Sequence, residues 1–115
     1  MTLLRIASTA TPNATVIAPI GELDMGSVER FEDAIAKVGG QHVIVDLRRV
    51  EFMDSISLSA LLRAADVLAS QGAPLQVIPG PRCVDHLFDL TQTRPRIEFV
   101  DHTVVDAPIA EIWLG

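Results

Sequence analysis

Apolar positions along this chain change period several times, and each change predicts a new element. Residues 3–8, LLRIAS, and 14–20, ATVIAPI, read as two short strands. TATPN between them supplies the proline and asparagine of a turn, so the pair predicts an N-terminal hairpin. In GELDMGSVERFEDAIAKVGG, residues 21–40, the period becomes helical. Val28, Phe31, Ile35 and Val38 share one stripe, Ser27 is a candidate N-cap, Arg30 and Glu32 face water, and Gly39-Gly40 ends the helix.

HVIVDL, 42–47, is a nearly unbroken apolar run, the pattern of a strand covered on both faces, and VEFMD continues or resumes it after Arg48-Arg49. Leu58, Leu61, Leu62, Ala65, Leu68 and Ala69 then recur at i, i+3, i+4 spacing, which predicts an amphipathic helix ending near Gly72. APLQVI, 73–78, is the next strand, closed by PGP at 79–81. RCVDHLFDLT, 82–91, predicts a short helix with Val84, Leu87 and Phe88 inward, and RIEFV, 96–100, a last strand. The tail predicts a helix from near Asp106, with Pro108 in its first turn and Ile109, Ile112 and Trp113 on its apolar face.

The order β-β-α-β-α-β-α-β-α has no repeat and no linker. It predicts one α/β domain over 1–115: a mixed four- to five-stranded sheet with about four helices mainly on one face. Sites in such folds gather beyond the carboxyl ends of strands, where helices start. Two corners qualify, GELDMGS at 21–27 and MDSIS at 53–57.

Composition narrows the function by exclusion. Fifteen acids against nine bases give a net charge of −6, opposite to the basic footprint that nonspecific nucleic-acid binding needs. The aromatics are four Phe and one Trp, with no Tyr, which disfavours a base-stacking platform. No apolar run reaches the ~18–20 residues of a membrane-spanning helix, and the N-terminus lacks a signal-peptide pattern, so a cytoplasmic address is expected. The lone Cys83 cannot form an internal disulfide and reads as a small, semi-buried helical residue. His42, His86 and His102 have no metal-ligand spacing, and there is no G-x-S-x-G elbow or phosphate-binding glycine pattern. No metal, cofactor or enzymatic role is expected.

MDSIS offers three candidate helix caps in Asp54, Ser55 and Ser57, of which one suffices. A helix N-terminus also tolerates a phosphate, because its unpaired N–H groups and the macrodipole favour negative charge. A phosphoserine there adds about −1.5 to −2 charges. Beside Asp54, and beside Asp24 if the two corners adjoin, it makes the patch strongly anionic. On spacing alone the cap outranks the switch.

GELDMGS, VIVDLRRVEFMDSISLSALL and PRCVDHLFDLTQTRPRIEFVD together resemble the STAS domain, as found in bacterial anti-sigma-factor antagonists, colinearly and through nearly the whole chain. The most specific block is D-L-x-x-V-x-F-[ML]-D-S-[ST]-G-L, matched by Asp46, Leu47, Val50, Phe52, Met53, Asp54, Ser55 and Leu58. The resemblance implies binding and not catalysis: capture of an anti-sigma serine kinase in a partner-switching cycle, release on phosphorylation, and restoration by a serine phosphatase. Carried over by position, the phosphoacceptor is Ser55, with Ser57 a lesser candidate, and Asp24, Asp54, Ile56 and Ser57 form the partner-binding corner. Two positions depart from the pattern, Ile56 for the second Ser/Thr and Ser57 for the glycine. These keep open a module that is not phosphorylated and binds a small molecule or lipid, or serves in a transport or signalling complex. The oligomeric state is open as well.

Overall fold

The computed structural model describes residues 4–39 and 41–106. The elements run β1 (Arg5–Ala10), β2 (Thr15–Leu23), α1 (Val28–Ala36), β3 (Val43–Asp46), β4 (Val50–Met53), α2 (Ser55–Ser70), β5 (Leu75–Ile78), α3 (Arg82–Leu90), a 3-10 turn (Arg94–Arg96), β6 (Glu98–Phe99) and α4 (Thr103–Asp106). The strands form one mixed sheet in the order β1-β2-β3-β5-β6, with β4 pairing β2 outside that path. Only β1–β2 is antiparallel. The expected α/β fold is therefore present, with six strands among the described residues. HVIVDLRRVEFM breaks into β3 and β4 because the chain turns at Leu47–Arg49, so β4 joins β2 and does not prolong β3. The proposed helix from Asp106 through Trp113 lies almost entirely outside the described residues; α4 begins three residues earlier than that reading, at Thr103.

The sheet has two unequal faces. Ile17, Val43, Val45 and Val77 point to the side where Phe31 and Ile35 of α1, Leu58, Leu61 and Leu62 of α2, and Val84 and Phe88 of α3 close over them. Ala14, Val16, Ile44 and Ile78 point the other way, against Val105 of α4. That two-sided cover accounts for the unbroken apolar pattern of β3. Phe31 and Phe88 are fully buried, and each such side chain contributes about 1.5–3 kcal/mol relative to exposure.

β2 changes neighbours along its length. Residues 15–17 pair with β3, while Gly21, Glu22 and Leu23 pair with β4 across a bulge at Gly21/Glu22. The main chain of Thr15 and Gly21 bonds towards β3 and β4, through Thr15 N to His42 O and Gly21 N to Arg49 O. Strand geometry points Pro19 the same way, into the gap between the two neighbours, so its missing N–H costs no ladder bond. Gly21, at φ +111°, takes up the bend in a conformation that side-chain-bearing residues rarely adopt.

Two contacts fix α3. A Cβ on Gly80, just before it, would meet Leu47 O at 2.6 Å. At its other end Arg94 donates Nε to Asp89 Oδ1 at 2.7 Å and Nη2 to Asp85 Oδ2 and Asp85 O, both at 3.0 Å. The guanidinium also sits 5.1 Å from the Phe99 ring centroid and 5.9 Å from that of Phe88, whose rings meet edge to face. The hydrogen bond from Arg94, and then its charge, hold the Asp89 carboxyl below the ordinary 3.8.

Gly80→Ala is expected to cost about 1–3 kcal/mol, since backbone must shift to admit the methyl, and the urea midpoint measures it. The lowered Asp89 carboxyl favours the fold above the ordinary carboxylate range, and that stability is lost as pH falls through its folded value. The stability difference between the protein and Asp89→Asn should therefore be present at neutral pH and close as urea midpoints are taken to steps below pH 3.8.

Candidate functional site

Both corners singled out from the sequence meet at the carboxyl ends of β2 and β4. β4 ends at Met53, and Asp54 follows in an extended conformation (φ −96°, ψ 174°), the backbone of an N-cap. Its Oδ1 accepts from Ser57 N at 2.8 Å, so Asp54 is the cap of α2. Its Oδ2 accepts from Met25 N at 3.0 Å, across to the β2–α1 loop. Asp54 N in turn donates to Leu23 O at 3.1 Å. One carboxylate thus joins the start of α2 to the loop carrying Asp24.

That loop is folded by its own polar groups. Asp24 Oδ1 accepts from Gly26 N at 2.9 Å, and Asp24 O accepts from Val28 N at 2.9 Å and Ser27 N at 3.0 Å. Ser27 occupies the N-cap position of α1 but makes no side-chain cap bond. Its backbone (φ −125°, ψ −8°) is not the extended one from which a hydroxyl reaches the first turn. Ser27 Oγ instead donates to Glu22 O at 2.9 Å and accepts from Asp24 N at 3.1 Å, closing the loop.

The serines part company. Ser55 is the first residue of α2 and is exposed, and its hydroxyl carries no hydrogen bond among the described residues. Ser57, two residues on, turns inward: it is 0% exposed, and its Oγ has no hydrogen-bond partner among the described residues. Alike as candidate caps in the sequence, they differ because a helix start rotates each successive residue by about a quarter turn or more. The inclusion of Ser57 among surface and acceptor residues is corrected on that ground, since neither a partner nor a kinase reaches a side chain with no exposure. Its hydroxyl stands where the family pattern has no side chain at all. A hydroxyl buried without a partner costs about 1–3 kcal/mol.

Around Asp54 and Ser55 the surface is apolar as well as acidic. Met25 is 72% exposed, Phe52 51% and Ile56 47%. Ile56, expected in a partner-binding corner, is exposed; Met25 and Phe52 were not among the expected site residues. For Met25 the available signal was a large apolar side chain in the otherwise polar loop DMGS; for Phe52, within the largely apolar VEFMD, no such contrast existed.

The remaining candidates disperse. His42 Nε2 pairs with Gln76 Oε1 at 2.7 Å, and Gln76 Nε2 bonds Glu98 across β5 and β6. His86 is exposed on α3, and His102 Nε2 is 3.8 Å from Asp101. Cys83, expected to be semi-buried, is exposed on α3 with Sγ 3.7 Å from Glu51 O. Among the described residues no three His, Cys, Asp or Glu side chains gather in a group able to hold a metal ion, and no helix is long and apolar enough to cross a membrane.

The family model of the STAS domain matches residues 5–107, and this chain belongs to that family. No curated protein matches it in sequence. Among solved structures, an anti-sigma factor antagonist from Mycobacterium paratuberculosis superposes with a TM-score of 0.77 at 20% identity, over 97% of this chain and 92% of that one. The anti-sigma factor antagonist SpoIIAA in its unphosphorylated form gives 0.70 at 18% identity, over 95% and 97%. The phosphorylated form of the Bacillus cell fate determinant SpoIIAA gives 0.66 at 20% identity, over 90% and 97%. At these identities the likeness is one of fold.

Two substitutions separate the cap from the buried hydroxyl. Asp54→Ala removes the cap and the bridge to Met25 and should lower stability by about 1–2 kcal/mol. Ser57→Ala deletes an unpaired polar atom from the core and should raise it by about 1–2 kcal/mol. Urea denaturation of the two variants beside the unchanged protein reads both signs.

Proposed function

We propose that this chain is an anti-sigma-factor antagonist that captures an anti-sigma serine kinase in the cytoplasm, with Ser55 as the switch. The observation that carries the reading is the contrast at the start of α2: Ser55 exposed with an uncommitted hydroxyl, Ser57 sealed in the core. In the unmodified state the partner docks on Asp24, Asp54 and Ile56, and the exposed Met25 and Phe52 support a wider apolar contact. Exposed apolar side chains around a small acidic centre suit a protein partner, whose contact desolvates them.

The switch is then electrostatic. The kinase transfers the γ-phosphoryl of ATP to Ser55 Oγ, whose proton passes to a base on the kinase, leaving ADP. The phosphate brings about −1.5 to −2 charges next to the Asp54 carboxylate, in the middle of the docking surface. The N–H groups of the first turn of α2 make it locally tolerable, so the fold survives while the complex does not. A phosphatase that hydrolyses the ester restores docking.

A STAS module that binds a small ligand is the second reading, and one feature favours it. An open groove of about 720 Å³ runs between α1 and α2, lined by Ala36, Ala60, Ala64 and Val67, with Arg63 and Glu32 3.5 Å apart on its wall. It is a surface groove with no connection to the Ser55 corner, which is why the switch reading stands first.

With the cognate kinase and ATP, the protein should gain the mass of one phosphate and release its partner. Ser55→Ala should remain bound in a pull-down with ATP present, and Ser55→Asp should bind weakly even without it. An intact mass that stays unchanged under these conditions rules out the switch even where binding is retained.

A further inference from the structure

We propose that the free edge of β1 pairs with the same edge of a second copy, joining two chains into one continuous sheet. This goes beyond the partner-switching reading and does not depend on it. β1 is the end strand of the sheet, and among the described residues its only strand partner is β2. The β2 main chain bonds towards β3 and β4 at Thr15 and Gly21, so alternation turns Val16, Ala18 and Ile20 towards β1. Their register partners are Thr9, Ala7 and Arg5. The N–H and C=O groups of Ile6, Ser8 and Ala10 therefore point outward, with no strand partner among the described residues. Just before them, Leu4 O is already taken by Arg30 Nη1 at 2.6 Å, which ends the free edge at Ile6.

Such edges are ordinarily blunted by lysine, proline, a bulge or an inward charge. RIASTA carries none of these between Ile6 and Ala10, and its single charge, Arg5, sits at the strand's start. The remaining side chains are small or uncharged, which suits a second copy of the same strand. A two-fold axis at Ser8 sets Ser8 opposite Ser8 of the second copy and Ile6 opposite its Ala10, so every outward residue pairs at once. The two Arg5 side chains fall at opposite ends of the seam. Facing serines at the axis form a favourable cross-strand pair.

The helix side of the edge has room for this. An open groove of about 540 Å³ lies between β1 and α1, lined among others by Ile6, Ser8, Arg30, Asp33, Ala34 and Lys37. In the paired assembly the two α1 helices run side by side above the seam. On the groove wall each places Asp33 between Arg30 and Lys37, so neither sign accumulates there. The groove lies by Thr15 and Gln41, at the end of the sheet away from Ser55. Pairing through β1 leaves both Ser55 corners open.

The protein alone tests this. Sedimentation velocity over micromolar to millimolar concentration should show the mass rising from one chain to two. Hydrogen exchange at high concentration should protect the amides of Ile6, Ser8 and Ala10, which in dilute protein exchange freely while Ala7 and Thr9 stay protected by β2. Ser8 is exposed, so Ser8→Asp and Ser8→Lys should each keep the native circular dichroism and sediment as one chain, because like charges face at the axis. Mixed in equal amounts, these variants should recover the two-chain species. One chain at every concentration, with the three amides exchanging freely, overturns the proposal and leaves the edge to a strand of another protein or to solvent. Two chains that persist in both Ser8 variants overturn it equally, placing the interface elsewhere.

Discussion

The architecture hinges on β2, a nine-residue strand with three neighbours. A strand has two hydrogen-bonding sides, so a third neighbour is possible only if one side is divided lengthwise. Pro19 and Gly21 divide it: proline where no partner asks for an N–H, glycine where the backbone takes φ +111°. The consequence is positional. β4 runs beside the second half of β2, so both strands end together at Leu23 and Met53. The loop after one and the helix after the other are therefore forced into contact, and Asp54 can reach Met25 N.

A single carboxylate then performs two jobs that are chemically alike. Each Asp54 oxygen accepts from a backbone N–H, one in the first turn of α2 and one in the loop before α1. Both bonds are strong because the acceptor is ionised, and both hold an element that borders the exposed Ser55. A corner built from a loop and a helix start is only as well defined as the contact between them. Here that contact is the Asp54 side chain, adjacent to the exposed Ser55.

Much of this was readable in the sequence. The 3.6-residue stripes of α1, α2 and α3 are strong because each helix packs one face on one sheet, and the glycine at 72 closes α2 in the left-handed conformation that such ends favour. What escaped was whatever depends on contacts distant in sequence. The alternation of VEFM does not reveal that β4 leaves β3 for β2. The strand expected at 96–100 shrinks to Glu98–Phe99 because Arg94–Arg96 forms a 3-10 turn, and Arg94 there is drawn to two acids of α3. Asp54, Ser55 and Ser57 were equivalent as caps until the geometry of the helix start separated them. The corner was legible, and the distribution of roles within it was not.

Ser57 shows why a departure from a family pattern is best treated as a physical question. Where the pattern has glycine, the chain tolerates close packing and loses helix propensity; a serine restores part of the propensity but carries a hydroxyl. On an exposed helix start that hydroxyl would be neutral or would compete to cap. At 0% exposure, with no partner among the described residues, it is a cost to the folded state. The cost falls in the first turn of the helix that begins with Ser55, and Asp54 bonds the Ser57 backbone to offset it. The first turn of α2 is therefore a balance between a strong cap and an unsatisfied core atom.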